Sequence, residues 1–225
     1  MGKGMALQAG KMFVAGEKGK IELIIDTPRT EAHGIAVIGH PHPLQGGTAT
    51  HKVPHVLAKA LAARGYVAVR PNFRGVGDTE GEHDAGDGET TDTVGVIHHL
   101  RQAYPGLPLV LAGFSFGAYV MARTVEALRG EGLQCPHLIL AGMPWGTIPG
   151  HRSYETPNVP STALVVHGEK DERVTLGAVL DWARPQELPV VVVPGANHFF
   201  TGKLGALERV VGGYLDHLPA PDANA

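Results

Sequence analysis

Six short segments are near-continuously apolar and rich in Val, Ile and Leu: "GIAVIGH" (34–40), "GYVAVRP" (65–71), "LPLVLAG" (107–113), "PHLILAGMP" (136–144), "TALVVHGE" (162–169) and "LPVVVVPGA" (188–196). A strand with one wet face alternates apolar and polar residues, whereas a strand covered on both faces does not, so these runs read as strands of a mostly parallel sheet. Only the earlier "KIELIIDTP" (20–28) alternates, as a half-buried strand does. Helical patterns lie between the runs: "KVPHVLAKALAARG", "ETTDTVGVIHHLRQAY", "GAYVMARTVEALRG", "VTLGAVLDWARP" and "LGALERVVGGYLDHL". Strand and helix in alternation, joined by short loops, predict an α/β fold with a doubly wound, mostly parallel sheet flanked by helices. The 225 residues contain no internal repeat and no low-complexity linker, so a single domain over 1–225 is expected, with flexible tails at about 1–10 and 219–225.

Ligands of such sheets bind outside the C-terminal ends of the strands. At the end of the run 107–113 stands Gly113-Phe114-Ser115-Phe116-Gly117, and a helical pattern resumes at once. This is G-x-S-x-G between strand and helix, the setting of a nucleophile elbow. So tight a corner holds its central residue in strained backbone and leaves its flanks no room for side chains, which is what the glycines provide. The competing reading is a glycine-rich turn with a helix-capping serine. A serine nucleophile needs a base and a group that orients the base. Asp171 follows the run 162–169, and His198 follows the last run, in the chain order Ser, Asp, His. Asp171 could instead cap the next helix. Glu169 is its credible substitute, Asp181 sits inside a helix, and His198 competes with a plain loop histidine in a chain with 13 of them.

The loop "GHPHPLQGGT" (39–48) follows the first buried run and is expected to supply part of an oxyanion hole. One donor is the N–H of Phe116, the residue after the nucleophile. Pro41 and Pro43 have no N–H to give, which leaves His42, Leu44 or Gln45, with Leu44 favoured. His40 and His42 form an H-x-H, but prolines interleave them and no Cys, Asp or Glu is near, so they read as structural or substrate-contacting residues rather than metal ligands.

Composition narrows the function. With 19 basic against 22 acidic residues the net charge is −3, and no basic block marks a nucleic-acid or anionic-membrane surface. Cys135 is alone, which excludes a disulfide framework and reads as a buried thiol entering a strand. No run approaches the ~20 apolar residues of a membrane span, and "MGKGMALQAGKMF" lacks the apolar core of a signal peptide. The expected location is cytoplasmic. "NFRGVGDTEG" (72–81) imitates a dinucleotide-binding turn, but its third glycine would fall at Glu80, and Glu82, Asp84, Asp87 and Glu89 would repel a pyrophosphate. It reads as a solvated loop leading into a capped helix, tied down by ion pairs of Arg74. No cofactor and no metal are expected.

"GFSFG", "HGEKD" and "GANHFF", in this order on this alternation, resemble the α/β-hydrolase superfamily. "GHPHPLQGGT", "YVAVRPNFRGVGDTEG" and "GDGE" resemble its small, lidless bacterial branch of dienelactone-hydrolase-like proteins, over about residues 20 to 218. Dienelactone hydrolases proper carry cysteine at the elbow where this chain has Ser115, so the resemblance implies a serine hydrolase acting on another ester. The expectation is therefore an α/β-hydrolase fold without a cap domain, with Ser115, His198 and Asp171 as catalytic triad and backbone N–H groups of Phe116 and Leu44 as oxyanion hole. The substrate would be a small soluble acyl compound and the protein a monomer or homodimer. A thioesterase or small amidase would use the same residues. A hydrolase-fold binding module would have no need of three intact positions. The segment "PWGTIPGHRSYETPNVPS" (144–161) is too short and proline-broken for a helical cap, and Trp145, Phe114, Phe116 and Phe199 are expected to line a small apolar pocket.

Overall fold

The computed structural model describes residues 7–133, 137–148 and 152–218. In chain order the elements are β1 (Gly10–Gly16), β2 (Gly19–Asp26), β3 (Gly34–Gly39), α1 (Lys52–Ala62), β4 (Tyr66–Pro71), α2 (Asp87–Ala103), β5 (Leu109–Phe114) and α3 (Phe116–Gly130). They continue with β6 (His137–Ala141), β7 (Gly146–Thr147), β8 (Ser153–Tyr154), β9 (Leu164–Gly168), α4 (Leu176–Ala183), β10 (Val190–Val193) and α5 (Leu204–Asp216). Eight strands form one sheet in the order β1-β2-β4-β3-β5-β6-β9-β10. β4, β3, β5, β6, β9 and β10 pair in parallel, and β1–β2 and β2–β4 are antiparallel.

The unbroken apolar runs have the cause expected of them. In β5, Leu109 and Leu111 point into the core beneath α2, α3 and α4, while Val110, Ala112 and Phe114 point into the core beneath α1 and α5. In β3, Ile35 and Val37 serve the first core and Ala36 and Ile38 the second. All of these are at most 1% exposed, and each Val, Leu, Ile or Phe among them contributes roughly 1.5–3 kcal/mol by its burial.

Three strands were not expected. β1 is an edge strand, and Leu7 before it donates its N–H to the Tyr104 hydroxyl (2.7 Å), so the expected N-terminal tail must be shortened. β7 and β8 make a small antiparallel ribbon in the segment expected to be loop throughout. Residues 1–6, 219–225 and Cys135, for which tails and a buried thiol were expected, lie outside the described residues.

The strand order locates the site. From β3 the chain moves outward to β4, then crosses back to lay β5 on the other side of β3. The loops leaving the C-terminal ends of β3 and β5 thus part in opposite directions, which opens a crevice between them. Residues 40–47 leave β3 and Ser115 leaves β5.

Candidate active site

Ser115 stands at the N-cap of α3 with φ 54° and ψ −124°, a region L-residues avoid, at a cost of order 1–3 kcal/mol. The surroundings enforce it. Its N–H donates to the carbonyl of Ala141 in β6 (2.9 Å), and its carbonyl accepts from Ala118 (2.8 Å). A Cβ on Gly113 would overlap the Gly117 carbonyl, and one on Gly117 would overlap the backbone of Gly39. Both glycines therefore answer to close backbone approach, which lets α3 start directly against β3. The bulky residues between them are footings: Phe114 packs 5.1 Å from the His198 ring and Phe116 5.0 Å from that of His42, and both are fully buried.

The hydroxyl of Ser115 lies 3.0 Å from Nε2 of His198, and Nδ1 of His198 lies 2.7 Å from Oδ2 of Asp171. An ionised carboxylate only accepts, so Nδ1 carries the ring proton and Nε2 is left to accept from Ser115 Oγ–H. Asp171 turns its other oxygen to the N–H groups of Arg173 (2.9 Å) and Val174 (2.8 Å). Its side chain is fully enclosed, and burial alone would push its pKa up. The hydrogen bond and charge of His198 and the Val174 N–H outweigh burial and hold the carboxyl below its usual range, so it is ionised at neutral pH. Glu169, the alternative acid, faces solvent and accepts from the Gly195 N–H (2.6 Å). Asp181 is exposed and pairs with Arg184.

His167 was not anticipated. It is fully buried, donates Nε2–H to the Val174 carbonyl (2.8 Å) and stands 3.4 Å from Asp171 Oδ2, thereby bracing the loop that carries Asp171. Burial pushes its pKa down, so it stays neutral beside the carboxylate. The spacing of four residues in "HGEKD" is the signal that could have exposed it.

The loop after β3 holds the residues from which the second oxyanion donor was expected. Leu44 is 75% exposed, and its N–H donates to Nδ1 of His42 (3.3 Å). The residues of this loop that line the cleft are His42 and Gln45. His40 is a tie: Nδ1–H donates to the Pro41 carbonyl (2.6 Å) and Nε2 accepts from the Phe73 N–H (2.9 Å), which joins the loops after β3 and β4. Burial pushes its pKa down to about 3, so it is neutral. Among the described residues no group of three His, Cys, Asp or Glu side chains could hold a metal ion, and no helix is long and apolar enough to cross a membrane.

The loop 72–89 is organised from α2. Glu89 accepts from the N–H groups of Asp84 (3.0 Å) and Gly86 (2.8 Å), capping the helix. Arg74 reaches mainly past the loop, with two hydrogen bonds to Asp92 in α2 (2.7 and 3.0 Å) and one to Glu17 (2.8 Å), and only a 3.8 Å contact to Asp84. Because Arg74 stands in the loop, these ion pairs tie the loop to α2 and the β1–β2 turn.

Beside Ser115 and His198 lies a small cleft of about 30 Å³, open to solvent. Its far wall is Pro144, Ile148, Tyr154 and Val174, with Arg173 at the rim. The expected wall is corrected: Phe114 and Phe116 lie beneath the site, Trp145 packs on the core, and Phe199 lies under the Arg173 guanidinium.

A lidless α/β serine hydrolase of Xanthomonas campestris superimposes on this chain with a TM-score of 0.85 and 33% identity, over 96% of this chain and 98% of that one. The chain belongs to the lidless α/β serine hydrolases. An α/β serine hydrolase homologue from Coxiella burnetii is similar to this hydrolase at 33% identity and a TM-score of 0.82, over 93% and 98% of the two chains. An uncharacterized protein of Rickettsia prowazekii is 28% identical over 213 residues, 91% of this chain and 88% of that protein. The serine aminopeptidase S33 family matches residues 44–148, a span that includes Ser115 and ends before Asp171 and His198. Where lidded relatives would insert a cap, between β6 and β9, the described residues of this hydrolase form only the β7–β8 ribbon.

Proposed function

We propose that this protein hydrolyses short, soluble carboxylic esters through an acyl-enzyme on Ser115. The observation that carries the reading is the hydrogen-bonded row Ser115–His198–Asp171, with spacings of 3.0 and 2.7 Å, mounted on a strained elbow at a solvent-open cleft. Ser115 Oγ attacks the acyl carbon while its proton passes to His198 Nε2, and Asp171 stabilises the imidazolium that forms. The imidazolium returns the proton to the departing alcohol, which leaves Ser115 acylated. Water then repeats the sequence with His198 as base, releasing the acid and restoring the Oγ–H.

The tetrahedral oxyanion needs donors held in place beforehand. Phe116 is the first residue of α3, and its N–H has no carbonyl of its own helix to meet. The second donor is the backbone of His42. Of the two loop residues that line the cleft, Gln45 gives its N–H to the His42 carbonyl (3.0 Å). The N-terminus of α3 adds its partial positive charge at the same point.

The test pairs a fluorophosphonate probe with turnover of a panel of esters, thioesters and amides. Wild type is expected to be labelled once, at Ser115, and to turn over short esters. Ser115→Ala should stay folded by circular dichroism and lose on the order of 10⁶ in kcat, the scale on which a triad nucleophile matters. A folded wild type with neither labelling nor turnover would identify a binding module instead, and thioesters or amides outrunning esters would move the substrate class.

A further inference from the structure

The cleft beside Ser115 is lined by one permanently charged side chain, and it is cationic. Arg173 Nη1 donates to the side-chain oxygen of Gln45 (2.9 Å), and the guanidinium lies 4.9 Å over the Phe199 ring. Neither neighbour cancels its charge. Among the described residues no carboxylate lies within 4 Å of the Arg173 guanidinium, in contrast to the paired Arg64, Arg70, Arg74, Arg123 and Arg184 but in common with other arginines such as Arg29 and Arg209. The acids near it in sequence are otherwise disposed: Asp171 is enclosed behind His198, Glu169 caps the Gly195 N–H, and Glu172 makes no ion pair with it. Among the described residues no acidic side chain lines the cleft.

A guanidinium has five N–H donors in a planar fork that matches a carboxylate. Here one side-chain donor goes to the protein, and the planar group is pre-set by an amide on one side and an aromatic face on the other. Such a cation loses little freedom on taking an anion, and being weakly hydrated it gives up its water readily. A neutral ester would leave that charge unanswered at the mouth of the site. We propose that Arg173 is the specificity-determining residue of this cleft and selects small esters that also carry a carboxylate. The proposal rests on the ester-hydrolase reading above and names its substrate class.

The experiment compares p-nitrophenyl hemiglutarate with p-nitrophenyl butyrate, which places the anion on the acyl side, and 4-acetoxybutyrate with butyl acetate, which places it on the alcohol side. Wild type, Arg173→Met and Arg173→Lys are assayed at low and high salt. In at least one pair wild type should favour the anionic ester in kcat/KM by roughly five-fold, the scale of an exposed ion pair. The ratio should fall toward one in Arg173→Met, mainly through a higher KM, because the contact is present in ground and transition states alike. It should be partly kept in Arg173→Lys and should shrink with added salt. Glutarate binding to Ser115→Ala, followed by calorimetry and set against Ser115→Ala/Arg173→Met, reads the anion site without any turnover. Loss of that binding in the double variant supports the proposal even if no ester is hydrolysed, which would overturn only the hydrolase reading. Turnover in which neither pair shows a preference that depends on Arg173 overturns the proposal and leaves the hydrolase reading standing.

Discussion

A buried carboxylate beside a histidine does two jobs that one substitution can separate: it carries charge, and it fixes which ring nitrogen holds the proton. Asp171 performs both through the 2.7 Å contact to His198 Nδ1. Asp171→Asn keeps the shape but offers an N–H where an acceptor is needed, so Nε2 would carry the proton and could no longer accept from Ser115. Activity should drop roughly 10⁴-fold, the scale known for that change in another triad, while Glu169→Gln should leave kcat within about two-fold, since exposed substitutions away from a site rarely matter. Steady-state kinetics of the two variants decide, and a larger loss in Glu169→Gln would sink the assignment of the acid. These three residues were legible because each stands just past a different apolar run, and runs buried on both faces are visible in a sequence. His167 and Arg173 were not, because their roles are set by neighbours brought in from elsewhere: the Val174 carbonyl for one, Gln45 and Phe199 for the other. The Leu44 N–H, which meets His42 Nδ1, raises a related point. Sequence tells which residues own an N–H, and only the fold tells where it is spent.

The strands that form the site are the ones whose pattern was clear, and the edge strand β1 and the β7–β8 ribbon are not among them. β1, "GKMFVAG", puts Val14 inward and leaves Phe13 44% exposed, with a glycine at each end, so its two-residue period is too short and too weak to stand out. β7 and β8 have two residues each, and their pairing is supported by tertiary contacts: Arg152, just before β8, donates to the Ala85 carbonyl (2.6 Å) and stacks over Tyr154 and Tyr119. The ribbon is thereby held against the loop before α2, with Ile148 and Tyr154 as one wall of the cleft. A two-strand ribbon covers a few carbon atoms of an acyl chain and leaves the rest in water, where each CH₂ forgoes roughly 0.8 kcal/mol of burial. For p-nitrophenyl esters kcat/KM should therefore peak among acetyl to hexanoyl groups and fall for longer chains, with no activation at a lipid interface. A steady climb from acetyl to palmitoyl would show that the ribbon or another element closes over long chains after all.

For the molecule as a whole, the same burial that orders the site exposes it to acid. His40 is fully buried as a neutral ring, its pKa held at about 3 by burial against an ordinary 6.5, and burial also pushes His167 down. The unfolded chain takes up these protons near pH 6.5 while the folded chain refuses them, so below that pH the unfolded state binds more protons and stability falls with falling pH. Above pH 6.5 neither state protonates the rings and the effect vanishes. One ring kept neutral costs about 1.4 kcal/mol per pH unit, so His40 alone would remove about 2 kcal/mol between pH 6.5 and 5. Asp171 works in the same direction at lower pH: its depressed pKa gives stability that is present above the ordinary 3.8 and is lost as pH falls through the folded value. The two contributions occupy different windows, and this makes the histidine effect measurable by itself. Urea midpoints should be level from pH 8 to 7, decline from pH 6.5 to 5, and decline more steeply below 4. His40→Gln, which can still accept from the Phe73 N–H, should flatten the first decline by close to one proton. Should that variant fail to fold, the ring-carbon shifts of His40 followed by NMR answer the same question, since they should hold at their neutral values down to pH 4. A midpoint that stays level from pH 7 to 5, or a His40 ring that protonates near pH 6 in the folded protein, would mean that water reaches the junction between the loops after β3 and β4.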